Sequence, residues 1–213
     1  MRVLFVCGFN ATLCEWSASY DALRAHLAEV GLEVEYFTYT WAECAESVYA
    51  RLRGALLSGG RFEALVAYSM GATLVARYFT CHADAVAAYR RVVLCMPLLA
   101  PNATHAMLAR APLSSLVPLP LAPHGALCSM QQVVHVYRHW LDNDNTEKVD
   151  AVALLERPNV HVLYALRETL TPVPWRVLSR AANLHVVHGG HAAFETPAYA
   201  AQFFAALDEA LGV

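Results

Sequence analysis

The sequence predicts an α/β protein, a three-layer sandwich built on a mostly parallel sheet of about six strands. Three observations carry that reading. Short apolar runs alternate with longer stretches whose apolar residues recur at helical spacing, and such alternation implies parallel strands joined by right-handed crossovers. The first run is continuous rather than alternating, as in a strand covered on both faces. The 213 residues are 57% hydrophobic and 15% charged, with a mean hydropathy of +0.36. One domain can therefore bury a large core, and disorder is excluded.

Val3–Cys7 is a continuous apolar run ending at Gly8, as a buried strand would be. Glu15–Val30 carries Trp16, Tyr20, Leu23 and Leu27 at helical spacing, and Gly31 caps it. Glu33–Tyr39 is rich in β-branched and aromatic residues and reads as a strand. Trp41–Leu57 reads as a helix stopped by Gly59-Gly60. Ala64–Tyr68 and Arg91–Cys95 are strands flanking a helix at Met70–Phe79. Val160–Leu166 and Leu184–Val187 are the last two strands, and Ala192–Leu211 closes the chain as a helix. From Pro97 to about Arg157 no strand is expected, only several prolines and one helix, Met130–Leu141. About sixty residues are too many for a plain connection. We expect residues 97–157 to be a lid inserted between the fourth and fifth strands, with residues 1–96 and 158–213 forming the core.

Composition excludes several function classes. The net charge is −3 and no basic block exists, so no nucleic-acid partner is expected. Lys148 is the only lysine, which removes chemistry needing several. The greasiest stretch, Ala106–Met130, is interrupted by Arg110, Pro112, Pro118, Pro120 and Pro123, so no integral membrane segment is expected. The apolar run after Met1-Arg2 is too short for a signal peptide. The sequons at Asn10 and Asn102 then read as chance matches. Six irregularly spaced cysteines without a CxxC pair suggest reduced thiols and a cytoplasmic location.

The strongest local signal is Leu65-Val66-Ala67-Tyr68-Ser69-Met70-Gly71-Ala72. A strand runs directly into a serine and then into a helix of small residues, a variant of the G-x-S-x-G turn with Ala67 in the first glycine position. The alternative is a serine that merely N-caps a helix. As a nucleophile, Ser69 needs a base. His191 follows the last strand on a glycine-flexed loop, which places it at the same sheet edge, with His188 as its competitor. His185 reads as structural. His135 and His139 lie four apart on one helix, but no third ligand accompanies them, so no metal and no cofactor is expected. The base needs a carboxylate to orient it. Glu168 lies just beyond the fifth strand; the alternatives are a solvated pair with Arg167, or Asp142, Asp144 or Asp150 as the acid. The N–H of Met70, opening the helix after Ser69, would face a developing oxyanion.

These residues resemble the α/β-hydrolase family across nearly the whole chain. The order Ser69, Glu168, His191 is that family's order of nucleophile, acid and base. Cys7-Gly8-Phe9 resembles the loop after the family's third strand, which implies the Phe9 N–H as the second oxyanion donor. Gly190-His191 through Phe194-Glu195 and Pro197 is similar to the tail of its lidded esterases and lactonases. Ala67 for glycine, CGFN for the commoner HG loop, and Glu for Asp at 168 depart from the pattern. The first strand here would correspond to the family's third, a minimal form lacking its first two. The resemblance implies a serine hydrolase acting on a small-molecule carboxylic ester, thioester or lactone. The lid would supply Leu108, Leu113, Leu116, Leu119 and Trp140 to an apolar pocket. Acyl transfer, or a receptor that binds a hydrophobic ligand without turning it over, stay open because the fold hosts both.

Overall fold

The computed structural model describes residues 1–8, 17–39, 43, 45–97, 99, 118–120, 127–129, 151–169 and 173–213. Six strands form one all-parallel sheet: β1 (Arg2–Val6), β2 (Glu33–Phe37), β3 (Ala64–Tyr68), β4 (Arg91–Cys95), β7 (Val160–Ala165) and β8 (Asn183–Val187). Their order in space is β2-β1-β3-β4-β7-β8. The helices are α1 (Ser17–Glu29), α2 (Ala45–Leu57), α3 (Met70–Cys81), α4 (Ala151–Leu155), α5 (Trp175–Leu178) and α6 (Pro197–Leu211).

Successive strand residues point to opposite faces, and the core divides accordingly. Leu4, Val6, Leu65, Ala67, Val92 and Leu94 pack against α2, α3 and α4. Val3, Phe5, Val66, Tyr68, Val93 and Cys95 pack against α1 and α6. The sheet is thus sandwiched between two helical layers, as the continuous apolar runs require.

The topology also fixes where a site belongs. From β1 the chain passes through α1 to β2 on one side, then through α2 to β3 on the other. The strand order reverses between β1 and β3, and a crevice opens beyond the carboxyl ends of strands at such a point.

Two differences from the sequence reading have physical causes. The expected helix Ala192–Leu211 is divided into a 3₁₀ turn at Ala193–Glu195 and α6 from Pro197. Pro197 disfavours helical geometry at the residue before it, and Thr196 is extended at φ −97°, ψ 112°. The expectation of no strand between Pro97 and Arg157 is corrected by β5 (Pro118–Pro120) and β6 (Leu127–Ser129), a short antiparallel pair apart from the main sheet. Two prolines in three residues hide such a strand from any propensity argument. Residues 151–155 form α4, against the α3 face of the sheet. The helix expected at Met130–Leu141 lies outside the described residues. Among the described residues no helix is long and apolar enough to cross a membrane.

Candidate active site

Ser69 joins β3 to α3 with φ 56° and ψ −122°, a region that residues with side chains rarely occupy. Hydrogen bonds hold it there. Its N–H donates to the Cys95 carbonyl at the end of β4, at 2.8 Å. Its carbonyl accepts from the Thr73 N–H at 3.1 Å and the Thr73 hydroxyl at 3.2 Å. Gly71 makes the turn possible. A Cβ there would lie 2.3 Å from the Cys7 carbonyl oxygen, so only glycine lets α3 lie against the end of β1. Met70 is the first residue of α3, so its N–H is one of the four that the helix itself cannot pair.

The loops that carry Glu168 and His191 are held by a continuation of the sheet. Past the strand ends, the Leu166 N–H donates to the Val187 carbonyl at 3.0 Å and the Arg167 N–H to the Gly189 carbonyl at 2.9 Å. Gly189 adopts φ 101°, and a Cβ there would press on the Tyr199 ring at 2.8 Å. This pairing sets Glu168 beside His191. The Glu168 side chain is fully buried, and His191 Nδ1 lies 2.8 Å from its Oε2. On its other side, His191 Nε2 lies 2.7 Å from Ser69 Oγ. The hydroxyl donates to Nε2, which leaves the imidazole hydrogen on Nδ1 to donate to the carboxylate. Burial makes that partnership compulsory, because an unpaired carboxylate would be strongly penalised.

The structure therefore brings together Ser69, Glu168 and His191, with Met70 adjoining. It does not pair Glu168 with Arg167 in solvent. His188 is exposed, its N–H donating to Gln202 Oε1 at 2.8 Å, and it stands outside the chain of hydrogen bonds. His185 lies elsewhere, its ring stacked on that of His161. Phe9, Leu108, Leu113, Leu116, Trp140, His135, His139, Asp142, Asp144 and Asp150 lie outside the described residues, and Leu119 is described only as part of β5. Among the described residues no group of three or more His, Cys, Asp or Glu side chains could hold a metal ion.

Sequence reasoning missed the aromatic floor of the site. The Tyr68 ring meets Tyr20 edge-on, at 6.2 Å and 90°, and Phe194 at 5.2 Å and 80°. Tyr20 Oη accepts the Gly8 N–H at 3.1 Å. Tyr68 Oη donates to the His191 carbonyl. Burial raises both phenols well above their ordinary pKa, so they stay protonated. Beside them burial pushes the Cys7 thiol up to about 12, which makes it inert. The missed signal was the tyrosine directly before the serine, which reads as another strand residue until its hydroxyl is seen to leave the sheet layer.

No family model matches the chain, and no curated protein matches it in sequence. Solved structures do. One reported for LipS and LipT, two metagenome-derived lipolytic enzymes, has a TM-score of 0.66 at 15% identity, covering 100% of this chain and 94% of that one. The monoacylglycerol lipase of Paleococcus ferrophilus has a TM-score of 0.61 at 18% identity, over 98% of this chain and 92% of that one. The Pyrococcus furiosus esterase Pf2001 has a TM-score of 0.61 at 12% identity, over 99% and 82%. Likeness at such identities fixes the fold and leaves the chemistry to be argued from the residues.

Proposed function

The chain has the α/β-hydrolase fold, and on that fold we propose a serine hydrolase that cleaves a small carboxylic ester, thioester or lactone. The observation that carries the proposal is the chain Ser69 Oγ–His191 Nε2 at 2.7 Å and His191 Nδ1–Glu168 Oε2 at 2.8 Å, at a strained strand–helix turn. Its neighbours in fold being lipases and esterases agrees with it.

Ser69 attacks the acyl carbonyl carbon while His191 Nε2 takes the hydroxyl proton. Glu168 fixes the imidazole tautomer and stabilises the imidazolium. The Met70 and Phe9 N–H groups hold the oxyanion. The tetrahedral intermediate collapses to an acyl-serine, and the imidazolium gives its proton to the leaving oxygen or sulfur. Water then attacks the acyl carbonyl carbon as His191 Nε2 takes one of its protons, and the second tetrahedral intermediate breaks its bond to Ser69 Oγ as His191 returns that proton to it, which frees the acid. We assign the lid to the part of residues 97–157 that precedes α4, which packs in the core, and take Leu116, Leu119 and Trp140 as its candidates for an acyl pocket. Free thiols at Cys7, Cys81 and Cys95 favour a reducing compartment, the cytoplasm.

The test is labelling with a fluorophosphonate probe. Wild type reacts, Ser69→Ala does not, and p-nitrophenyl esters of graded acyl length then rank the substrate. Absence of labelling, beside a control hydrolase that reacts, overturns the proposal.

A further inference from the structure

We infer that Tyr68, the residue before the nucleophile, is a positioning residue for His191, tying the base's main chain to the nucleophile turn. This rests on the serine hydrolase reading above. His191 meets the turn twice. Its ring accepts from Ser69 Oγ, and its main-chain carbonyl accepts from Tyr68 Oη. Ser69 and Tyr68 are consecutive, so the two bonds close a ring that fixes both the direction of the imidazole and the height of the backbone beneath it. The Arg167–Gly189 rung and the Glu168 carboxylate hold the loop on its other side, and Gly190, between that rung and His191, is where the main chain could pivot without the Tyr68 bond.

For Tyr68 to act as a fixed point it must itself be immobile. It is buried, edge-on to Tyr20 and Phe194, and its ring lies 5.4 Å from that of His191. Gly8 closes the remaining side, where any Cβ would approach Tyr68 Cδ1 at 3.1 Å and Ser69 Cβ at 3.3 Å. Tyr20 extends the frame by accepting the Gly8 N–H, which anchors the loop leaving β1 to the same aromatic group. The nucleophile, the base and the loop after β1 are thus referenced to two phenol rings that touch no reacting atom.

Tyr68→Phe removes one oxygen and keeps the ring. With p-nitrophenyl acetate as probe, kcat should fall about tenfold to a hundredfold with KM little changed, since a displacement on the order of 1 Å costs that much. The rate of fluorophosphonate labelling should fall by the same factor. Tyr89→Phe is the control, because it removes a buried phenol-to-carbonyl bond of the same kind, to Leu56 at 3.0 Å, far from the site. It should lower Tm and leave kcat alone. A readout independent of turnover is the Nδ1 proton of His191 in proton NMR, sharp in wild type and Tyr89→Phe, and broadened by exchange in Tyr68→Phe. Unchanged kcat, labelling rate and Nδ1 resonance in Tyr68→Phe overturn the inference, as does failure of that variant to fold, which makes the hydroxyl a folding determinant instead. If Ser69→Ala keeps wild-type turnover, the hydrolase reading fails on its own and the NMR signal alone decides for Tyr68.

Discussion

Two strings of polar contacts cross this sheet, and both thread imidazole between other polar groups. At the carboxyl ends of the strands the string is Ser69–His191–Glu168. Deeper in the sheet, on the α6 face, it is Arg91–His161–His185–Glu209. Arg91 donates to His161 Nε2 at 2.7 Å, His161 Nδ1 lies 3.1 Å from His185 Nε2, and His185 Nδ1 lies 3.5 Å from Glu209 Oε2. The tautomers follow from the donors at the head of each string. What differs is the group that faces the first imidazole. A neutral hydroxyl can give its proton to His191, whose far nitrogen is already turned to a carboxylate. A guanidinium cannot surrender a proton, and its charge makes a second cation beside it costly. Burial, aided by Arg91 and His185, pushes His161 down to about 4, although Glu209 acts in the opposite sense. The same side chain is therefore ready to become a cation in one place and held neutral in the other. A buried histidine on a strand is not evidence of catalysis until its first neighbour is known.

Single substitutions test the difference between the two strings. The largest expected effect separates the two imidazoles. His191→Ala should cost on the order of 10⁶ in kcat, like Ser69→Ala, because nucleophile and base act as a unit. His185→Ala should leave p-nitrophenyl ester turnover within about threefold of wild type when assayed well below its Tm. The reverse ranking would move the base into the second string.

Next come the two carboxylates that end the strings. Glu168→Gln should keep the fold and lower kcat by about 10²–10⁴, since the amide no longer holds the correct tautomer. Glu209→Gln, at an exposed carboxylate, should leave kcat unaltered. Steady-state assays of both variants decide this. A near wild-type Glu168→Gln would send the search for the acid to Asp142, Asp144 and Asp150. On the same loop as His191, His188→Ala should retain most activity, because His188 is exposed and takes no part in either string.

The smallest effect is on stability. The folded-state pKa of His161 lies below its unfolded value of about 6.5. Its contribution is fully present above pH 6.5 and is lost as pH falls from there towards 4, because the unfolded chain takes up the proton first. His161→Gln should therefore show a shallower decline of Tm between pH 6.5 and 4 than wild type. Each kcal/mol corresponds to about 2–4 °C for a domain of this size. Parallel declines in calorimetry would show that His161 is not the group being protonated.

Particular elements show what could be read beforehand. Ala64–Tyr68 and Arg91–Cys95 were legible to the residue because they are central strands of mainly apolar residues, one ended by Ser69 and the other by Met96-Pro97. Ser69, Glu168 and His191 were legible as candidates because each follows a strand, and the carboxyl ends of parallel strands share one edge. Pro118–Pro120 and Leu127–Ser129 were not, since strands of three residues, one of them with two prolines, leave no period to detect. The Tyr68 hydroxyl and the His161–His185 contact were not legible either. Both depend on register between residues 123 and 24 positions apart, which no local pattern encodes.

The ladder bonds from Leu166 to Val187 and from Arg167 to Gly189 carry one more consequence. They make the loops that carry Glu168 and His191 the last rungs of the β7–β8 pair instead of independent connections. Backbone amides of Leu166 and Arg167 should exchange with deuterium as slowly as strand amides do, unlike those of ordinary surface loops. The same rungs restrict how this edge can diversify. A residue inserted between Ala165 and Glu168, or between Val187 and His191, would slip one loop against the other, whereas lengthening the chain beyond Gly212 leaves the rungs untouched.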